Sequence, residues 1–123
     1  MKTKSIELLG AQHPLCFSMT ASQNLTERFG SLGAMAEQLI SDDIPTRVDA
    51  INDALTELMK AGRIYAKARG EELPPELPCR VADALPASFT SPVALILSVM
   101  QGDSKREVEV EDTGKNAEAT LNR

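Results

Sequence analysis

Few side chains in this sequence could do chemistry, and they are scattered. His13 is the sole histidine and stands three positions before Cys16, a spacing found in some metal sites. The other cysteine, Cys79, lies far away in sequence. One imidazole and two separated thiols cannot make a convincing zinc site without help from carboxylates. A catalytic dyad is short of partners too, because a nucleophile needs a base within reach and His13 is the only histidine to offer. No pair of acids stands out from surface charge as an acid–base couple. The expectation is a protein with no catalytic residues, no metal and no cofactor.

Two other groupings have a chemical reading. Gly30-Ser31-Leu32-Gly33 opens a helix, where backbone N–H groups can face an anion. It lacks the Gly-Lys-Ser/Thr ending of a phosphate loop, and Gly30 reads better as a helix stop. Lys60, Arg63 and Lys67 share a helix face, with Arg69 close by, and form the sharpest nucleic-acid candidate. Yet Asp49, Asp53 and Glu57 precede them on the same helix. Acids early and bases late are what a helix dipole favours in a solvated face.

The elements that position these residues follow from period and punctuation. Ile6 and Leu8, then Leu15, Phe17 and Met19, alternate with polar or small neighbours over the first nineteen residues. That period of two predicts a β-hairpin, with its turn at Gly10–Pro14. Thr20 with Gln23 forms a capping box for a first helix that Gly30 ends. Ser31 caps a short second helix carrying Leu32, Met35, Ala36 and Leu39. The longest element is predicted from Pro45 to Arg69, with Val48, Ile51, Leu55, Leu58, Met59, Tyr65 and Ala66 as one stripe.

Three prolines between Glu71 and Pro78 forbid regular helix there. A short turn is expected from Arg80 to Leu85. Ser91-Pro92 then starts a last helix, apolar nearly all round from Val93 to Met100, expected to be the most buried and to end at Gly102. From Asp103 to Arg123 the chain turns charged and polar, and it reads as a disordered C-terminal tail. Val108 and Val110 alternate with acids there, so a short strand on a partner is conceivable. The fold class is mainly α: a small helical domain with an N-terminal β-hairpin over residues 1–102, then a charged flexible tail over 103–123.

Composition limits the function classes. The 123 residues suffice for one modest core. Aromatic content is 3%, which gives bases nothing to stack on. The formal charge of −5 repels phosphate backbones as a whole. The longest apolar run, Val93–Leu97, is far below the ~20 residues that span a bilayer. With no leader-like start and two distant thiols, a reducing cytoplasm is the expected setting. The apolar stripes at Leu32, Met35 and Leu39 and at Leu55 and Met59 are read first as core and second as a groove for a partner.

The order of elements carries a resemblance. A hairpin over Lys4–Gly10 and Pro14–Met19 leads into Thr20–Leu32, with Glu27-Arg-Phe-Gly-Ser-Leu32 as its strongest piece. A small helix and a long helix ending in Tyr65-Ala-Lys-Ala-Arg-Gly70 follow, then a proline-rich acidic loop, an apolar helix and a charged tail. Over roughly residues 4 to 112 this resembles the tail assembly chaperones of long-tailed (siphovirus-type) phages and prophages. The resemblance implies a helical, self-associating, non-enzymatic protein of the host bacterial cytoplasm, absent from the mature virion. Its implied partners are the tape measure protein, which it coats, and the tail tube protein, with neither nucleic acid nor membrane.

Many members are also made in a second, longer form by programmed frameshift. Here Gly114-Lys-Asn116 can be encoded as GGA AAA AAC, which contains a slippery heptamer, a hypothesis that the gene sequence decides. The expected partner-binding residues are Leu32, Met35, Leu39, Leu55 and Met59, with Val108 and Val110 in a tail able to occupy the groove or reach the tube protein. The rival readings are a small DNA-binding regulator using Lys60, Arg63 and Lys67, and a structural head–tail connector subunit.

Overall fold

A computed structural model describes the backbone of residues 4–112 and the side chains of residues 4–102. The order of elements is β1 (Lys4–Leu8), β2 (Ala11–Leu15), α1 (Met19–Phe29), α2 (Leu32–Leu39), α3 (Ile44–Ala68), a 3-10 turn (Val81–Ala84) and α4 (Thr90–Asp112). The protein is mainly α, with a two-stranded antiparallel hairpin at its N-terminus. The expected fold class stands.

Helix α3 is the spine. Asp43 caps it, accepting from the Thr46 amide, and Pro45 sits in its first turn. Ala50, Ile51, Ala54, Leu55 and Leu58 are almost wholly buried along its inner face. Helices α1 and α2 cover one flank with Leu25, Phe29, Met35 and Leu39. Arg28 pairs with Asp53 at 2.7 Å across the α1–α3 seam. Arg47 donates to the Leu39 carbonyl at 2.8 Å and satisfies a backbone group at the end of α2. Its guanidinium also lies 4.6 Å from the centre of the Phe89 ring, which ties the entry to α4 onto the same corner.

The hairpin lies on α3 through unusually close backbone contact. The Cys16 amide donates to the Leu58 carbonyl at 3.1 Å. Gly62 faces β2, and a Cβ built there would overlap the Pro14 carbonyl. A glycine at this place in the stripe is what lets a strand and a helix touch by their main chains.

Several boundaries differ from the sequence reading. The hairpin turn is not Gly10–Pro14 but the two residues Leu9 and Gly10, both left-handed at φ 52° and 83°. That twist suits a tight hairpin, and Gly10 adopts it without cost while Leu9 does not. His13 and Pro14 are therefore strand residues, with His13 opposite Ile6. The second strand stops at Leu15. Met19 opens α1 with 80% of its surface exposed, so the alternation read through Phe17 and Met19 ends early. The cap of α1 is Ser18, whose hydroxyl accepts from the Ala21 amide at 3.1 Å, rather than Thr20.

Helix α4 also departs from expectation. Val93, Ile96 and Val99 are buried, but Leu97 is 44% exposed, and α3 rather than α4 is the most buried element. Its helix does not stop at Gly102 and continues to Asp112. Val108 and Val110 fall in that helical stretch, and their side chains lie outside the described residues. Residues 113–123, with the rest of the expected tail, lie outside as well.

Candidate functional site

The residues expected to meet a partner separate by burial. Met35, Leu39 and Leu55 have no exposed surface, and Met59 has 8%. As packed here they are core, and their removal would open cavities rather than weaken a surface. Leu32 alone of this set is half-buried, against the core's edge. The other two, Val108 and Val110, cannot be assigned contacts.

Exposed apolar surface gathers elsewhere. At the start of α3, Ile44 is 51% exposed, and the stripe that continues inward through Val48 and Ile51 begins with it. Leu85 and Phe89, from the segment between the 3-10 turn and α4, and Pro92, in the first turn of α4, form the opposite wall. Together they line an apolar groove of ≈ 280 Å³. The sequence held a signal for half of it: Ile44 and Val48 extend the α3 stripe one turn beyond the residues that cover it. Phe89 sits in a proline-broken segment without periodicity, where pattern reading has no purchase, while Pro92 marks the first turn of α4.

A second and larger cleft, ≈ 630 Å³, opens between the middle of α3 and the segment 76–81. Met59, Ile64, Leu77 and Val81 give it an apolar lining, and Lys60, Arg63 and Arg80 bring positive charge, with Glu76 opposing. Two polar contacts hold its outer wall. Arg63 Nη1 donates to the Pro74 carbonyl at 2.8 Å, and Asn52 Oδ1 accepts from the Ala82 amide at 2.9 Å. Asn52 is itself a buried polar residue on the core face of α3, which no apolar pattern would single out.

His13 reaches this cleft from β2 and is 98% buried by contrast with the turn position the sequence suggested, with 2% exposed. Burial is the main cause that pushes its pKa below the usual histidine value. The charge of Arg63 acts in the same direction, and a backbone hydrogen bond with Leu8 opposes them. Its Nδ1 has no hydrogen-bond partner among the described residues. Cys16 is buried and Cys79 exposed, both as free thiols. Among the described residues no cluster of three His, Cys, Asp or Glu is placed to hold a metal ion.

The basic face of α3 is partly occupied. Arg63 is committed to the Pro74 carbonyl, and Lys60 Nζ lies 3.5 Å from Glu57. Lys67 is exposed at the end of α3. Gly30 serves as the stop expected of it, at φ 92°, and the Ser31 hydroxyl accepts from the Ala34 amide at 3.0 Å to cap α2. Among the described residues no helix is long and apolar enough to cross a membrane. Scans against protein-family models, curated proteins and solved structures find no match to this chain.

Proposed function

We propose that this protein is a non-enzymatic tail assembly chaperone of a long-tailed phage, one that binds the tape measure protein and helps recruit tail tube subunits. The observation that carries the reading is the apolar groove walled by Ile44, Val48, Phe89 and Pro92. A groove of this kind takes the apolar face of an amphipathic helix, the form in which a long coiled tape measure would present itself. The element order on which the family resemblance rests gives further support: hairpin, two short helices, long helix, proline-rich loop and last helix. Affinity from one small groove is modest per site, which suits a coat that tube subunits must displace.

Co-expression with the tape measure protein tests the reading. The wild-type chain is expected to co-purify with it, and Ile44→Asp, at an exposed position, to lose most of the capture while keeping its helical circular dichroism. Purified virions are expected to lack the chain. Failure to capture the tape measure protein, or retention of the chain in finished particles at connector stoichiometry, would overturn it.

A further inference from the structure

The cationic cleft beside α3 is not needed for the reading above, and its chemistry points to a different occupant. Its lining is apolar at Met59, Leu77 and Val81, while Lys60, Arg63 and Arg80 supply positive charge in a chain whose formal charge is −5. Lys60 and Arg80 already have acidic neighbours, Glu57 at 3.5 Å and Asp49 at 3.3 Å. The Lys60 and Arg80 side chains are 60% and 57% exposed, so each holds its acid weakly and can exchange it for another. The cleft therefore fits an acidic segment that also carries small apolar side chains.

The chain itself contains one. Glu107-Val-Glu-Val-Glu-Asp112 has four acids among six residues, and the other two are valines. This run lies past Gly102, and helix α4 is continuous from Thr90 to Asp112. At ~1.5 Å per residue the helix holds the acidic run about 8 to 15 Å beyond Gly102. A continuous helix does not fold back on its own body, so its far end cannot fill its own cleft. We infer that the cleft between α3 and residues 76–81 docks the acidic C-terminal run, residues 107–112, of a second copy of this chain.

In that contact the acidic residues of the run meet the positive charge of Lys60, Arg63 and Arg80. Each copy gives a tail and receives one, so two copies close reciprocally while longer head-to-tail chains remain open to it. The contact is electrostatic in large part and must weaken with salt.

Sedimentation of the full chain, with reversed charges on either side, provides the test. One variant carries Lys60→Glu and Arg80→Glu, and the other carries Glu107→Lys and Glu109→Lys. Arg63 is left alone because it holds the Pro74 loop. The wild-type chain is expected to self-associate at micromolar concentration and to dissociate as salt rises. Each variant alone should lose association by about tenfold or more. Mixing the two should restore it, because both reciprocal contacts then pair opposite charges again.

Circular dichroism and melting of each variant show that the fold is kept. A labelled peptide of residues 103–123 gives a second measurement, with anisotropy expected to rise on the wild-type chain and far less on the Lys60→Glu, Arg80→Glu chain. A monomeric wild type, variants that associate as the wild type does, or a mixture that stays dissociated would each overturn the inference. None of these readouts involves the tape measure protein, so the two proposals fail separately.

Discussion

Gly62 lies so close beneath Pro14 that any side chain at position 62 would occupy the space of the Pro14 carbonyl. The obstruction is main chain, which cannot turn aside as a long side chain does. Gly62→Ala is therefore expected to destabilise by about 1–3 kcal/mol, although alanine is the better helix former by about 1 kcal/mol. Chemical denaturation of the variant measures the sum of the two. A stabilised variant would show that the strand can slide off the helix at little cost.

The two candidate caps of α1 differ by one observable. Ser18 accepts from the Ala21 amide, while Thr20 sits inside the helix. Ser18→Ala is expected to cost about 1 kcal/mol, and Thr20→Ala only a few tenths or a slight gain. Thermal melts of the pair give the ranking, and the reverse order would move the helix start.

Asn52 ties the 3-10 turn to the spine through its bond to the Ala82 amide. Asn52→Ala leaves that amide without its acceptor and is expected to cost about 1 kcal/mol or somewhat more. Faster hydrogen exchange at Ala82 should accompany the loss. Unchanged exchange would mean that the turn is held by Val81 packing alone.

His13 makes stability depend on pH in a definite direction. Its folded pKa lies below its ordinary value of 6.5, so the unfolded chain takes up the proton first as pH falls. The contribution of this group is complete above 6.5 and is lost as pH drops through that value toward the lower folded pKa. Melting temperature should therefore fall as pH drops through 6.5, ahead of most carboxylate titration. His13→Leu is expected to flatten that part of the profile, and an equal slope in both proteins would assign it elsewhere.

Local cues in the sequence carried most of the fold. Ser31, Pro45 and Gly30 mark helix ends by chemistry that acts within a few residues, and α2 and α3 lie where they predict. The hairpin turn was missed because Leu9 takes a left-handed conformation that leucine seldom adopts, while Gly10–Pro14 offered a more conventional set of breakers. The degree of burial of α4 was missed for another reason. Apolar character states what a residue prefers, not whether a neighbour covers it, and Leu97 is left 44% exposed.

The candidate site was the least legible part. Met35, Leu39 and Leu55 have the spacing of a docking stripe and serve as core. The groove and the cleft are completed by Leu77, Arg80 and Phe89, from segments whose prolines erase any period. His13 enters the cleft only because β2 lies across α3, a contact between distant parts of the chain that no local rule contains.

That same contact orders events during synthesis. The hairpin leaves the ribosome before α3 does, yet two strands alone are marginal in water. Leu8 and Leu15, buried in the finished protein, have no surface to lie against until the turn of α3 that carries Leu58 and Gly62 has followed them out. Helices α1 and α2 are made in the interval and are enclosed when the loop closes. The nascent chain thus carries the apolar face of the hairpin unprotected until that turn of α3 has been made.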